Sequence, residues 1–170
     1  MLEPLRSGER RRALPAGVVI RPATAEDCHD IAPRLRSADA QELLAATGSP
    51  PDVSLPSTLR WHPSVVELEG RPEAIMGCAR LDDIEGVPWF ASTDVPVSPR
   101  WRVAFLRYSR QVVDDWQRTF PLLHNFTDAR NTVHHRWLKR IGFTFLARHE
   151  RFGALGLPFL EFVRIDHHHV

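Results

Sequence analysis

Two arginines near the middle of the chain, Arg100 and Arg102, are the residues best suited to bind a phosphate group. A guanidinium group donates several hydrogen bonds in a planar fork that matches phosphate oxygens. Both arginines lie in the segment TDVPVSPRWRVAF (93–105), which contains no glycine and has prolines at positions 96 and 99. Because proline lacks an N–H donor, this segment offers an anion fewer backbone donors than a glycine-rich loop does.

Side chains that could move a proton are present, but no pattern singles one out. Glu67, Glu73 and the histidines are candidates for a general base. His134 and His135 follow each other on a predicted helix, and we interpret them as residues of its surface. Tyr108 is the only tyrosine and falls on an apolar helical stripe, which predicts a core position. The sequence therefore assigns no catalytic residue.

Length and composition indicate an ordinary globular domain. A chain of 170 residues is long enough to form one domain with a substantial core. With 43% hydrophobic residues, 25% charged residues and a net charge of +1, it has no general attraction to nucleic acid or membranes. No run approaches the roughly 18 apolar residues of a membrane helix. Cys28 and Cys78 lack a CxxC motif, which predicts free thiols in a reducing cytoplasm.

The two ends differ from the rest in composition. Residues 1–17 include RSGERRR (6–12) and are predicted to be a flexible basic arm. Such an arm is either a solvated tail or a contact for nucleic acid or an acidic partner. Residues 167–170 form a His-rich tail, for which we predict exposure and no metal site. Residues 18–166 are predicted to form a single domain.

Hydrophobic periodicity and turn residues predict an alternation of strands and helices. Strands are expected at 18–24, 64–70, 73–81, 88–94, 122–128, 143–151 and 160–165, with helices after Thr24, at 38–47, at 99–119 and before Gly142. Residues 49–58 hold three prolines and are predicted to be a loop, with room for a short helix after Pro56. The long helix is predicted to begin at a Ser98 cap followed by Pro99. This order predicts an α/β (α+β) domain with a mixed, mostly antiparallel central sheet flanked by helices.

Two aromatic residues are predicted to be buried in the core. Phe143 is the first apolar residue after the glycine that ends the last helix. Trp116 closes the apolar stripe of the long helix, which also includes Phe105, Tyr108 and Val112.

The segment DARNTVHHRWLKRIGFTFL (128–146), together with the order of elements, resembles the Gcn5-related N-acetyltransferase (GNAT) fold. Asn131 is followed at eleven and twelve residues by Gly142 and Phe143, as is common in that family. The resemblance implies a splayed sheet and an acyl-coenzyme A site, with the side chain of Asn131 contacting cofactor or backbone.

The same resemblance exposes two departures from the family. The loop that holds the coenzyme A diphosphate in the family reads Arg-x-x-Gly-x-Gly or similar, whereas 93–105 has no glycine, and Trp101 adds bulk there. The tyrosine that commonly protonates the departing thiolate is replaced by Leu138. If the chain is an acyltransferase, Asp94, Arg100, Arg102 and Asn131 are its candidate cofactor-binding residues. That case is the alternative: our main expectation is that the chain has no cofactor and that acetyl-coenzyme A does not bind it in the family manner.

A narrower resemblance is to acetyltransferase-like proteins of short-tailed bacteriophages, known as internal virion protein A. Asn131, Thr132, His134, Arg136, Leu138 and Gly142 match a pattern that recurs in that group, and Trp89, Asp94 and Asn125 fit its flanks. The resemblance implies a virion-associated or virion-assembly protein in the infected cell or the particle, non-catalytic, which binds other phage structural proteins. The alternative is an acyl-coenzyme A-dependent N-acetyltransferase with a degenerate diphosphate loop.

Overall fold

The computed structural model of the protein describes residues 14–166. The His-rich tail at 167–170 and most of the basic arm lie outside the described residues. The strands are β1 (Val18–Pro22), β2 (Ser64–Leu68), β3 (Arg71–Arg80), β4 (Glu85–Ser92), β5 (Leu122–Asp128), β6 (Thr144–Phe152) and β7 (Leu157–Ile165). The helices are α1 (Ala25–Ile31), α2 (Ser37–Thr47), α3 (Pro51–Ser57), α4 (Arg102–Thr119) and α5 (Thr132–Arg140).

All seven strands form one sheet in the order β1-β2-β3-β4-β5-β7-β6. Every neighbouring pair is antiparallel except β4 and β5, which run parallel. The predicted mixed, mostly antiparallel sheet is therefore confirmed. The parallel pair is short, since only Glu85 with Leu122 and Gly86 with Leu123 are in register. Beyond those pairs the two strands diverge, so the sheet is open between β4 and β5.

Helices cover both faces of the sheet and bury three apolar clusters. One cluster packs α1 and α3 on β2, β3 and β4 through residues such as Ile31, Leu55 and Ile75. On the opposite face, α4 packs on β2 and β3 through Trp101 and Phe105. The third cluster joins α4 and α5 to β5 and β7. Both layers end near the gap between β4 and β5, so side chains of the two layers can meet there.

The predicted elements are present, with two corrections at prolines. The long helix begins at Arg102 rather than Pro99, because residues 98–101 form a turn in which Trp101 and Arg102 donate backbone hydrogen bonds to the Ser98 carbonyl. Ser98 therefore does not cap the helix with its side chain. The predicted loop at 49–58 contains α3, which starts with Pro51 in its first turn. Proline is tolerated there because the first N–H groups of a helix have no internal partner.

The two predicted core aromatics differ in their burial. Phe143 is 4% exposed and its ring meets that of Phe162 edge-on, with ring centres 5.1 Å apart. Trp116 packs against the same cluster but is only half-buried. The prediction is thus confirmed for Phe143, whereas Trp116 lies at the wall of a cavity.

The capping box predicted at Thr24 is present, and Arg21 of β1 is hydrogen-bonded to it. Asp27 accepts from the Thr24 N–H at 2.8 Å, and Asp27 N–H donates to Thr24 Oγ1 at 3.3 Å. The Arg21 guanidinium also donates two hydrogen bonds of 2.7 Å to the Asp27 carboxylate. These hydrogen bonds, chiefly those from Arg21, hold the pKa of Asp27 below its usual range although burial acts to raise it.

We expect the stability of Asp27→Asn to decline less at acidic pH than the stability of the wild type does. A carboxyl whose folded pKa is depressed stabilises the protein fully above its unfolded pKa of about 3.9, and this stabilisation is lost as the pH falls through the folded pKa. Urea unfolding between about pH 6 and pH 2 should therefore show a shallower decline for Asp27→Asn than for the wild type. Equal slopes for the two proteins would contradict this role of Asp27.

Candidate functional site

The gap between β4 and β5 contains a cavity of about 140 Å³. Its walls are mostly apolar and come from both strands and from helices on both faces of the sheet. They include Pro88, Trp89, Phe90, Asn125 and Phe126 from the strands, Asp39, Glu42 and Ala46 from α2, Ser109, Val112 and Trp116 from α4, and His134, Trp137 and Leu138 from α5. The parallel strands thus part around a space that connects the two helical layers.

Along the edge of β4 that faces this cavity, backbone groups form hydrogen bonds near both ends of the strand but not between them. Asn125 Nδ2 donates to the Pro88 carbonyl at 2.9 Å, and Ser92 N–H donates to Asp39 Oδ2 at 3.0 Å. Because every second residue of a strand turns its backbone groups to the same side, Phe90 directs its N–H and C=O into the gap. Among residues 14–166 these two groups have no hydrogen-bond partner.

A buried polar cluster closes one end of the cavity. Asn131 begins α5, is 2% exposed, and donates from Nδ2 to Asp39 Oδ1 at 3.1 Å and to Glu42 Oε2 at 2.9 Å. Asp39 forms an ion pair of 2.6 Å with Arg36, which is itself buried. Asn131 therefore connects α5 to two carboxylates of α2 across the opening of the sheet.

His134 belongs to this cluster, so its interpretation as a helix-surface residue is wrong. The residue is 9% exposed and lines the cavity. Its Nδ1 lies 3.4 Å from Thr127 Oγ1 and 3.7 Å from Glu42 Oε1. The helical position of His134, one turn into α5, directs its ring inward because Asn131 and Leu138 share that buried face.

His135 is likewise not a surface residue. Its Nε2 lies 2.8 Å from the carbonyl oxygen of Asp128, and its ring packs edge-on against Phe145 with centres 5.4 Å apart. Burial lowers the pKa of His135 below its usual range. This ring is held by the backbone and does not line the cavity.

The residues predicted to bind a cofactor do not form one cluster. Arg100 is exposed and pairs with Glu69 Oε1 at 2.7 Å. Asp94 and Arg102 are also exposed, and neither contacts Asn131. Trp101, predicted to obstruct the approach of a diphosphate, is 8% exposed and packs on β2 and β3 instead. In the structure, Asn131 thus lies apart from the other three residues, and Trp101, the predicted obstruction, lies in the core.

The other candidate groups are engaged in structural roles. Glu67 pairs with Arg21, and Glu73 pairs with Arg34 at 2.9 Å. Cys28 and Cys78 are free thiols, as predicted, and burial raises the pKa of Cys78 to about 12. Over residues 14–166, no group of three or more His, Cys, Asp or Glu side chains is arranged to hold a metal ion. Within the same range, no helix is long and apolar enough to cross a membrane.

Comparisons at the level of sequence find no match, since neither a protein-family model nor a curated protein is similar to the chain. Solved structures are similar in fold. An acetyltransferase of the GNAT family from Bacillus anthracis is 7% identical with a TM-score of 0.66, covering 87% of this chain and 94% of its own. The fold is that of the GNAT acetyltransferases.

Two further structures share this GNAT fold over almost their whole length. The yncA protein of Salmonella typhimurium, solved with its cofactor acetyl-CoA, is 17% identical with a TM-score of 0.61 and covers 91% of this chain and 97% of its own. A ribosomal-protein-alanine N-acetyltransferase from Brucella melitensis is 14% identical with a TM-score of 0.60, covering 87% of this chain and 99% of its own. The predicted GNAT fold is therefore confirmed.

Proposed function

We propose that the protein binds an acyl-coenzyme A and transfers the acyl group to an amine. The observation that carries this proposal is the apolar cavity between β4 and β5, into which Phe90 directs an N–H and a C=O that have no partner among the described residues. Buried backbone groups are almost always paired. A ligand with amide groups along an extended arm, such as the pantetheine arm of coenzyme A, would supply partners for them. The Phe90 N–H is also positioned to stabilise negative charge on an acyl oxygen.

The two ends of an acyl-coenzyme A fit the protein unequally. The cavity suits an acyl group and an apolar arm, because its lining is mostly apolar. The segment 93–101 supplies no glycine loop for the diphosphate, and Arg100 is already paired with Glu69. An exposed ion pair is worth about 1 kcal/mol or less, so Arg100 is easily released to a phosphate. We therefore expect the acyl group and the pantetheine arm to contribute more to the affinity than the diphosphate does.

Thermal unfolding with acetyl-coenzyme A tests this proposal. Saturable binding should raise the melting temperature of the wild type, because a ligand that binds only the folded state stabilises it. Val112 lines the cavity, so Val112→Trp should fill part of it and weaken binding at least about tenfold by calorimetric titration. Val103 lies on the same helix but is 53% exposed, and Val103→Trp should bind like the wild type. Equal affinity in Val112→Trp and wild type would place the ligand elsewhere.

The second candidate function is a non-catalytic virion protein of a short-tailed bacteriophage that binds other phage structural proteins. It is favoured by the segment 93–101 without glycine and by Leu138, which is buried in the core where the family commonly has a tyrosine. Under this proposal the protein acts in the infected cell or the particle, and nucleic acid would be contacted only through the basic arm. No shift of the melting temperature with either acetyl-coenzyme A or coenzyme A would favour this candidate.

A further inference from the structure

The imidazole of His134 is the one titratable ring that lines the cavity between β4 and β5 in residues 14–166. The residue is more than nine-tenths buried, and its ring packs against Trp137 with centres 5.2 Å apart. Its Nδ1 faces Thr127, whereas its Nε2 has no hydrogen-bond partner among the described residues. This Nε2 is not among the fully buried atoms that lack a partner, so it keeps accessible surface and is suited to contact a ligand in the cavity.

The hydrogen bonds around His134 determine which ring nitrogen carries the proton. The Thr127 hydroxyl donates its single proton to Glu42 Oε2 at 3.1 Å. Its oxygen therefore accepts from His134, and Nδ1 must be the protonated nitrogen. The Nε2 then holds a lone pair. Asn131 fixes Glu42 by donating to the same Oε2 at 2.9 Å.

Charged groups from the packed elements surround this ring. Glu42 and Asp39 of α2 lie in the same cluster, and Arg36 at the start of α2 is paired with Asp39 at 2.6 Å. Among residues 14–166, the basic partner of Glu42 is His134, whose Nδ1 is 3.7 Å from the Glu42 Oε1. On α5 itself, the neighbouring His135 is turned to the carbonyl of Asp128. Glu42 is thus placed to orient the imidazole of His134.

We infer that His134 is the catalytic acid–base residue of the acyl transfer, with Glu42 as its positioning residue. This inference rests on the proposed function. His134 Nε2 accepts a proton from the acceptor amine while the amine nitrogen forms a bond to the acyl carbon. As the carbon–sulfur bond breaks, the imidazolium returns the proton to the sulfur. The products are an amide and free coenzyme A, and the ring regains its starting state. The same ring thus replaces both a separate base and the tyrosine acid that the sequence lacks.

Nitrogen-15 NMR of the histidine rings tests the tautomer without any turnover. In the wild type at alkaline pH, the His134 resonances, assigned by their loss in His134→Gln, should show a protonated Nδ1 and an unprotonated Nε2. Adding acetyl-coenzyme A should shift the Nε2 resonance more than that of any other histidine. A protonated Nε2, or an unmoved resonance in the presence of bound acetyl-coenzyme A, would overturn the assignment.

Thiol release from acetyl-coenzyme A with benzylamine as the acceptor tests the role in transfer. His134→Gln should lower kcat at least about 100-fold and alter the pH profile of kcat, an effect much larger than any change in the dissociation constant of acetyl-coenzyme A. Glu42→Gln should lower kcat with little change in the KM of acetyl-coenzyme A, because the imidazole loses the carboxylate that orients it. His135→Gln, next to it on α5 but outside the cavity, should retain the wild-type profile.

The outcomes separate this inference from the function on which it rests. If the wild type does not bind acetyl-coenzyme A, the proposed function fails and the role of His134 fails with it. If the wild type binds and transfers, but His134→Gln keeps the wild-type rate and pH profile, only the role of His134 is overturned.

Discussion

Asp39→Ala is expected to lower the free energy of unfolding by about 3–5 kcal/mol, because it leaves a buried guanidinium without its partner. Asp39 is 4% exposed and accepts from Arg36, from Asn131 and from the backbone N–H of Ser92. Its removal would therefore take an acceptor from three donors at the point where α2, β4 and α5 meet, although Asn131 keeps its hydrogen bond to Glu42. Chemical denaturation of the wild type and the variant measures the loss.

Two controls distinguish the stranded charge from a general effect of truncation. Asp83→Ala removes a fully exposed carboxylate that pairs with Arg80 on the surface, and it should leave the unfolding midpoint unchanged. The double variant Arg36→Met with Asp39→Leu removes the charge together with its partner, so it should be more stable than Asp39→Ala. A double variant no more stable than Asp39→Ala would show that the buried charge is not the cause.

Phe143→Ala is expected to cost about 3–5 kcal/mol of unfolding free energy, since the residue is buried in the cluster that joins α5 to β5 and β7. The truncation also enlarges the cavity between β4 and β5, because Phe143 is part of its lining. Equilibrium unfolding in urea gives the magnitude. Leu146 lies three residues further along β6 and is 59% exposed, so Leu146→Ala should have little effect. A loss below about 1 kcal/mol for Phe143→Ala would mean that the cluster repacks around the gap.

Most of the fold could be predicted from the sequence, because the residues that begin and end its helices and strands are local signals. Thr24 and Asp27 form the predicted capping box, Gly48 ends α2 with a positive φ of 74°, and the strand predicted at 122–128 has those bounds. The start of α4 was missed because a Ser-Pro pair favours both a helix start and a tight turn. Only the packing of Trp101 on β2 and β3 decides between the two.

The site could be predicted only in part because its contacts span distant segments. Asn131 was identified from its spacing to Gly142, and the structure places it at the centre of the polar cluster. Glu42 and Thr127 gave no signal, since they meet across 85 residues of chain. The inward direction of His134 follows from the helical spacing to the buried Leu138, four residues later. Its neighbour His135 weakened that signal, because two adjacent histidines do not mark one face of a helix.

The brief parallel pairing of β4 with β5 also divides the chain into two consecutive pieces. Strands β1 to β4 come from residues before 93, and β5 to β7 come from residues after 121, so each piece contains its own continuous ladder of hydrogen bonds. Between them, Pro99 and Arg100 are exposed. A backbone cut there would leave α4 on the second piece, with Phe105 directed at β2 and β3 of the first. Such fragments would recognise each other mainly through buried side chains, which makes this fold suited to a split reporter whose reassembly a ligand in the gap would promote.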